Sequence, residues 1–282
     1  MKNPYKAQNI AFFFLFLSTL LIVVPVGLIV VIIVQKGLPG ISWQFLSDIP
    51  RQGMRAGGIF PAIIGTLYLV SGAIVFALPI GLLAAIYLSE YSKDNLLNRV
   101  IKLAIVNLAG VPSVVYGLFG LALFVVFFKF GASIIAGSLT LGIMVLPIII
   151  TASREALESV PYSFREVSLS LGASKWQTIR HIVLPNAVPG ILTGTILALG
   201  RAAGETAPIL FTVAAFYLPR LPNSLFDQAM ALPYHLYVIS TQVPNVDEKI
   251  RYGTAFVLLA LVLLMNLAAI VIRNRFRKKK KW

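Results

Sequence analysis

Apolar residues run in long stretches along this chain, separated by short polar segments. About 20 apolar residues are enough to cross a bilayer as a helix. Six segments are candidates for such spans: Ile10 to Val34, Phe60 to Leu88, Leu103 to Phe128, Ile134 to Thr151, Val188 to Ala215, and Thr254 to Ile272. The fourth is short, and glycine or proline interrupts the second, third and fifth. The pattern predicts an all-α integral membrane protein with six transmembrane helices in one domain, residues 1–282.

Composition supports a membrane protein over a soluble one. The chain is 58% hydrophobic and 12% charged, whereas soluble domains are about a quarter charged. It has no cysteine, which excludes disulfides, thiolate metal sites and a cysteine nucleophile. The net charge of +14 could suggest nucleic acid as a partner. Much of it, however, lies in the tail at 273–282, "RNRFRKKKKW", directly after the last span, which indicates a topology signal that also favours anionic lipid. We expect no nucleic-acid partner.

Lysine and arginine also predict the orientation. With both termini in the cytoplasm, that side carries 16 of the 24 basic residues, the opposite side carries seven, and Arg201 lies inside the membrane. This bias predicts N-in, C-in topology. We therefore expect a multi-pass protein of the cytoplasmic membrane, with both termini in the cytoplasm.

Two loops on the outer side are long, residues 35–59 and 216–253. In the second, Leu225, Phe226, Ala229 and Leu232 recur at helical spacing, which predicts an amphipathic helix at the outer surface. Such a helix would be either an interfacial anchor or a docking surface for an external partner. The two histidines, His181 and His235, lack ligand-like neighbours, so each is expected to be an ordinary surface or interfacial residue.

The cytoplasmic loop at about 153–185 has the capping signals of two short helices. Ser163 precedes Glu166 by three residues, and Ser174 precedes Gln177 by three, the spacing of a capping box. Gly172 lies between them, where a helix C-terminus favours positive φ. The second helix is predicted to carry Trp176, Ile179, Val183 and Leu184 and to end at Pro185. Local physics leaves two interpretations open, a rigid connector or a docking element.

The loop also resembles the E-A-A, three residues, G, nine residues, I-x-L-P pattern of ABC importer permeases. Glu166 and Gly172 have the required separation, and Ile182, Leu184 and Pro185 close the pattern. Val167 and Ser168 depart from it, since alanine is usual at both positions. The resemblance implies a coupling helix, including Ala173 and Ser174, that fits a cleft in an ATPase subunit.

The charges at Arg201 and Glu205, in "LALGRAAGETAPILF", are the most unusual feature of the apolar spans. A central charge costs about 2.5–3.5 kcal/mol of insertion free energy, and a leucine returns only about 0.3–0.6 kcal/mol. Such residues usually face a bundle interior or a polar path. Because they are four apart, they could instead simply neutralise each other. Small neighbours, Gly200 and Gly204, favour a polar site on a translocation path.

The side chains at this site favour an oxyanion. Arginine presents a planar fork that suits tetrahedral oxyanions. A carboxylate beside it can accept a hydrogen bond from an anion that carries a proton, as phosphate does near pH 7 and sulfate does not. Alternatively, Glu205 holds Arg201 until the solute displaces it.

Two further motifs extend the resemblance. "GRAAGETAP", which includes Thr206, and "NLAGVPSVVYGLFGL" in the third span look like the permease subunits of phosphate-specific ABC importers. The likeness runs from about Gly58 through Tyr252 within a core of about 58–272. Gly110 and Pro112 are expected to kink the third span and to place Ser113 and Tyr116 near the path. The hydroxyl of Ser113 could instead bond to its own helix.

The resemblance implies the architecture of a type I ABC importer permease and a set of partners. These are a homologous permease that completes the pathway, an ATPase dimer, an extracytoplasmic phosphate-binding protein and phosphate itself. The chain has no G-x-x-x-x-G-K-[ST] loop, so we expect no cofactor on it, ATP and magnesium being used by the partner ATPase. The chain is then a transport subunit and not an enzyme. Three alternative functions remain possible. One is a permease for another oxyanion such as sulfate or molybdate, and another is an ion-coupled secondary transporter. The third is a phosphate sensor that binds the ATPase without transporting.

Overall fold

The computed structural model describes residues 4–93 and 95–278 and is almost entirely helical there. The α-helices are α1 (Pro4–Gly37), α2 (Trp43–Ser47), α3 (Phe60–Ile86), α4 (Leu96–Leu108), α5 (Ser113–Gly120), α6 (Ile134–Glu158), α7 (Tyr162–Ser170), α8 (Lys175–Thr178), α9 (Leu184–Gly204), α10 (Ala207–Thr212), α11 (Leu232–Thr241) and α12 (Glu248–Lys278). Turns of π-helix extend α3, α5 and α8, at Tyr87–Tyr91, Leu121–Phe127 and Ile179–Val183. Strands β1 (Pro50–Arg51) and β2 (Ala56–Gly57) pair antiparallel in the first outer loop. Short 3₁₀ turns cover Leu38–Gly40 and Gln52–Met54.

Five of the six predicted membrane spans correspond to single long apolar helices. Within the described ranges, five helices are long and apolar enough to cross a bilayer, Gln8–Gly40, Phe60–Tyr91, Ile134–Glu158, Lys175–Gly204 and Glu248–Arg277. The third predicted span is instead a bent pair, Leu96–Leu108 with Ser113–Phe127, whose axes differ by 100°, and it adds a sixth span only if the pair is counted as one. The bend occurs where Gly110 and Pro112 predict it. The cause is Pro112, whose ψ of 139° is extended and redirects the chain into α5.

Three helices, α3, α6 and α9, form the centre of the bundle. Gly190 and Gly194 of α9 face Ala156 and Ala152 of α6, and a Cβ at either glycine would overlap the alanine side chain. Small residues at this spacing allow two helix backbones to approach closely, which is how helices pack inside a membrane. The buried core continues into α5, α11 and the outer loops.

The two peripheral helices fix the relative direction of the chain ends. At the end of α1, Lys36 Nζ lies 3.5 Å from Glu248 Oε2 at the start of α12. Near the other end of α12, Arg273 Nη1 donates to Thr193 Oγ1, midway along α9, at 3.3 Å. Asn266, earlier in α12, lies next to Gly200, later in α9, so these two helices run antiparallel. The start of α1, the end of α12 and the loop between α6 and α9 therefore lie at the same end of the bundle. The excess of basic residues identifies it as the cytoplasmic end. The tail beyond Lys278 and Lys2, both counted in that excess, lie outside the described residues.

The fifth span differs from its prediction, because it is not one helix from Val188 to Ala215. Helix α9 ends at Gly204, Glu205 is extended with ψ of 137°, and α10 begins two residues later. Pro208 has no N–H to donate to the carbonyl of Gly204, and glycine is a poor helix former, so the helix breaks between them.

The cytoplasmic loop confirms one predicted capping box and contradicts the other. Ser174 accepts from the N–H of Gln177, whose side chain accepts from the N–H of Ser174 at 2.7 Å. Gly172 has φ of +82° at the end of α7, as the sequence predicts. Ser163, however, does not cap a helix, because α7 begins one residue before it, after Pro161. Glu166 accordingly has no capping role.

Pro185 does not end the second loop helix, so that prediction is wrong. The π turn Ile179–Val183 leads directly into α9, with Pro185 in the first turn of that helix. Residues Lys175–Gly204 form one continuous helix, and Pro185 lies inside it. A proline there removes one backbone hydrogen bond, and the irregular π turn directly before it is where the helix can adjust.

The outer loop after α10 also differs from its prediction. Residues Leu225 to Ala229 form turns, and the helix begins only at Leu232. Asp227 organises these turns by accepting from the N–H groups of Asn223 and Ser224, at 2.8 and 3.2 Å.

Helix α11 lies against the bundle and is not at the outer surface. His235, expected at the surface, is therefore buried, and burial lowers its pKa from 6.5 to about 4. His181, in contrast, is exposed as expected.

Candidate functional site

Arg201 and Glu205 form an ion pair at the broken end of α9. Arg201 Nε lies 3.4 Å from Glu205 Oε1, and their side chains are 31% and 18% exposed. Because Glu205 has left the helix, its carboxylate returns over the last helical turn, where Arg201 also benefits from the negative end of the helix dipole. Within the described part of the chain, Arg201 makes no other side-chain hydrogen bond. Most donors of the guanidinium are therefore free for another acceptor.

The bent span and the broken span meet next to this pair. Gly117 of α5 packs so closely on α10 that an added Cβ would lie 3.1 Å from the Ala207 carbonyl oxygen and 2.7 Å from the Phe211 ring. Tyr116, in the same helix, lies within electrostatic reach of Arg201. The structure thus places the two sequence motifs, "AGVPSVVYG" and "GRAAGETAP", side by side.

The three uncharged residues predicted near the path differ in accessibility. Tyr116 is buried, and its hydroxyl donates to the Leu108 carbonyl at 2.8 Å, which braces the bend. Ser113 and Thr206 are half-buried, at the first position of α5 and just before α10. Neither hydroxyl has a hydrogen-bond partner among the residues described. The bond from Ser113 to its own helix is thus not formed, and both hydroxyls are available to a solute.

Sequence reasoning missed Asn266 of α12. Its side chain lies opposite Gly200, where an added Cβ would be 3.4 Å from Asn266 Nδ2. Its Oδ1 is buried without a partner among the residues described. A lone amide in the apolar run "VLLMNLAA" was the available signal. It makes the side of α9 next to Arg201 polar as well.

The loop helices expose an apolar surface at the cytoplasmic end. Tyr162, Val167 and Leu171 are 69%, 61% and 83% exposed, and Trp176 is 48% exposed. Glu166 is exposed among them, whereas Ala173, Ile182 and Leu184 are half-buried. An exposed apolar patch of this kind marks a protein-interaction site.

A second buried ion pair lies behind this surface, and the sequence analysis did not identify it. Arg165 Nη2 is 2.7 Å from Glu90 Oε1, and the side chains are only 11% and 8% exposed. Beside the pair is a cavity of about 480 Å³, which the ends of α3 and α6 and the loop helices enclose. No sequence pattern joins positions 75 residues apart, so only the structure could find this pair.

Comparison with known proteins assigns the chain to a family. Residues 77–282 match the binding-protein-dependent transport system inner membrane component. The chain belongs to this family. It is 34% identical over 266 residues to the probable ABC transporter permease protein YqgI of Bacillus subtilis (strain 168), covering 89% of this chain and 90% of that protein.

Relatives in this family include proteins named as phosphate permeases. The phosphate transport system permease protein PstA 1 of Mycobacterium tuberculosis (strain ATCC 25618 / H37Rv) is 35% identical over 273 residues, covering 94% of this chain and 87% of the relative. PstA of Xylella fastidiosa (strain Temecula1 / ATCC 700964) is 34% identical over 245 residues, covering 86% and 85%.

Solved structures confirm the fold expected of an ABC importer permease. A bacterial alginate ABC transporter in complex with an alginate pentasaccharide-bound periplasmic protein aligns with a TM-score of 0.67 at 16% identity, covering 95% of this chain and 96% of that one. The MetNI methionine ABC transporter aligns with a TM-score of 0.59 at 18% identity, covering 78% and 94%. The predicted fold class, an all-helical inner-membrane permease, is thus confirmed.

Proposed function

We propose that the chain is a permease subunit of an ATP-driven importer of inorganic phosphate. The observation that carries the proposal is Arg201, whose guanidinium is held by one bond to Glu205 and keeps its other donors free. Relatives at 34–35% identity over most of the chain bear the name of phosphate permeases, which supports phosphate as the solute. Membership of a binding-protein-dependent family favours an ABC importer over an ion-coupled secondary transporter.

Arg201 binds the anion in this proposal, and Glu205 recognises its proton. Only Oε1 of Glu205 bonds to Arg201, so the carboxylate can accept a hydrogen bond from a protonated oxyanion. Ser113 and Thr206 add hydroxyl donors at the ends of α5 and α10. Binding is weak, because a single arginine at the end of one helix supplies only part of what a phosphate dianion requires.

A homologous permease completes the site from the opposite side. The faces of α5 and α9 next to the pair are apolar and open: Val115, Phe119 and Leu197 are 49%, 47% and 62% exposed. In a membrane such faces pack on another helix or on lipid. A partner permease packed here would bring its own side chains to Arg201 and would close the path between the two subunits.

The proposed partners at the two ends follow from the exposed surfaces. An ATPase dimer binds the loop helices α7 and α8 through their apolar patch and uses ATP and magnesium, and this chain binds no cofactor. An extracytoplasmic phosphate-binding protein docks on the outer loops. ATP-driven closure of the ATPase dimer opens the pathway outward, and hydrolysis resets it.

Uptake of labelled phosphate by the complete transporter tests the proposal, with sulfate as the competing solute. Arg201→Ala should lower phosphate uptake at least tenfold, since a charge-assisted hydrogen bond contributes about 1.5–3 kcal/mol. Assembly of the complex and its ATP hydrolysis should be retained. Arg154→Ala is the matched control, because Arg154 makes only a loose pair with Glu158 at 3.8 Å near the cytoplasmic end.

Two results would contradict the proposal in different ways. Unchanged uptake by the Arg201→Ala transporter would make the pair structural and would remove the site. Sulfate transport without phosphate transport by the unmodified transporter would leave the permease function but remove phosphate as its solute.

A further inference from the structure

The loop helix α7 has one buried side chain, and it is an arginine. Among the residues of Tyr162–Ser170, Arg165 alone is buried, while Phe164 and Ser168 are half-buried. Phe164 packs on the small apolar cluster beneath the loop, which includes Ile86, Leu157 and Ile179. Helices of this kind are usually held by apolar faces, so a buried charge at this position requires an explanation.

Arg165 connects α7 to two central helices at once. Its Nε and Nη2 donate to the carboxylate of Glu90, at 3.2 and 2.7 Å, in the π turn that ends α3. Its Nη1 donates to the Val160 carbonyl at 2.8 Å and its Nη2 to the Leu157 carbonyl at 2.9 Å, both at the end of α6. The Leu157 carbonyl belongs to the last turn of α6, and the Val160 carbonyl lies two residues beyond that helix. A cation is favourable there, at the negative end of the helix dipole.

A cavity lies beside the pair, between the loop helices and the ends of α3 and α6. About 480 Å³ of space separates the ends of α3 and α6 from parts of α7 and α8. Glu90 and Arg165 both line it, with Lys175 and Tyr162 on the loop side. The ion pair therefore lies between this cavity and the apolar cluster on which Phe164 packs, and it adds a directed connection to those apolar contacts.

A buried ion pair is an inefficient way to stabilise a fold. Removing two charges from water costs several kcal/mol per ion, and replacing such a pair with apolar residues is often neutral or stabilising. The pair instead fixes orientation, because the planar guanidinium with several hydrogen bonds sets the angle between α7 and the two helices. A connection that transmits movement between helices requires such a fixed relative orientation.

We propose that Arg165 and Glu90 are positioning residues that transmit movement of the loop helices to the solute path. Helix α7 carries the exposed surface on which the ATPase is proposed to bind, and α6 packs on α9 through Gly190 and Gly194. Movement of α7 thus reaches α3 and α6 through Arg165, and α6 passes it to α9 and to Arg201. This inference rests on the proposed function, since it requires an ATPase partner.

Four variants in the assembled transporter separate transmission from plain stability. Glu90→Gln and Arg165→Met each leave one buried charge unpaired, which should lower thermal stability. The double variant Glu90→Gln with Arg165→Met removes both charges and should regain most of that stability. Arg154→Ala with Glu158→Ala is the control, because it breaks a more exposed pair on the last turns of α6.

Phosphate uptake and ATP hydrolysis are then measured on the same complexes. The double variant is expected to assemble with the ATPase and to hydrolyse ATP at its basal rate. Its uptake should fall at least tenfold, and its hydrolysis should no longer respond to the loaded binding protein. The control should retain both activities.

Recovery of uptake together with stability in the double variant would overturn the inference, because the pair would then be only structural. This failure differs from failure of the proposed function, which would appear as absence of phosphate uptake by the unmodified transporter.

Discussion

Charged side chains inside the bundle are of two kinds in this protein. Arg201 and Glu205 lie four residues apart in an apolar run, so their cost could be recognised from the sequence. Glu90 and Arg165 are 75 residues apart at the ends of ordinary segments, and their burial depends on how α3, α6 and α7 meet. An arginine or glutamate can therefore be recognised from the sequence as a buried charge only where its neighbours in the chain are apolar, because the free-energy cost of the charge is then evident.

Glu205→Gln tests the role of the carboxylate. Glutamine keeps an oxygen that can accept from Arg201 but loses the charge that favours a bond from a protonated anion. We expect discrimination between phosphate and sulfate to fall about tenfold, the effect of roughly 1.4 kcal/mol. The measurement is competition by sulfate for labelled phosphate uptake.

Glu158→Gln is the control for this substitution, since Glu158 is a half-exposed carboxylate near the end of α6. If the Glu205→Gln transporter discriminates as well as the unmodified one, Glu205 only positions Arg201 and does not recognise the proton.

Helix ends are where local sequence and observed elements differ. Ser163 and Ser174 both have the residue spacing of a capping box. Ser163 does not cap α7, however, because that helix begins at Tyr162, directly after Pro161. At Ser174 no such competitor precedes the helix, and the box forms. Proline likewise has two outcomes. Pro112 accompanies a 100° bend, whereas the helix Lys175–Gly204 continues through Pro185, with a π turn directly before it.

Ser174→Ala and Ser163→Ala form a matched pair that tests this difference. Removing the Ser174 cap should cost about 1 kcal/mol of local stability, and removing the Ser163 hydroxyl should cost almost nothing. Hydrogen exchange of amides in α8 should then be about fivefold faster in the first variant only. Equal exchange in the two variants would show that the capping box does not stabilise the loop.

The whole molecule shows a bundle whose surface is unusually apolar. Helix α1 is exposed along most of its length and contacts α12 only near its C-terminal end. In water such a surface would aggregate, and in a membrane lipid or a partner subunit covers it. The antiparallel order of α1 and α12, together with the contact of Arg273 with Thr193, places the start of α1 and the end of α12 with the loop helices.

Single-cysteine labelling tests this topology directly, because the chain contains no cysteine. Gln228→Cys lies in the outer loop and Asn274→Cys in the tail, both at exposed positions. A membrane-impermeant maleimide should label Gln228→Cys in intact cells and Asn274→Cys only after the membrane is opened. The reverse pattern would invert the assigned orientation.

The sequence by itself determined the class of protein, five of its spans and the pair at Arg201 and Glu205. These follow from quantities that are local in the chain: the length of an apolar run, the asymmetry of basic residues, and the cost of a charge among apolar neighbours. It also located the bend at Pro112 and the turn at Gly172, since both depend on backbone preferences of single residues.

Only the tertiary structure decided the burial of His235, the opposition of Asn266 to Gly200 and the pair of Arg165 with Glu90. Each depends on which segments become neighbours, and the outer loop near Leu225 shows the same effect. Four apolar residues there have helical spacing, but hydrogen bonds to α6 form in place of a local helix. The Leu225 carbonyl accepts from the N–H group of Ile135 and the Asp227 carbonyl from that of Ile134, both at 2.9 Å. Long-range hydrogen bonds of this kind replace the local helix, and no pattern within the segment records them.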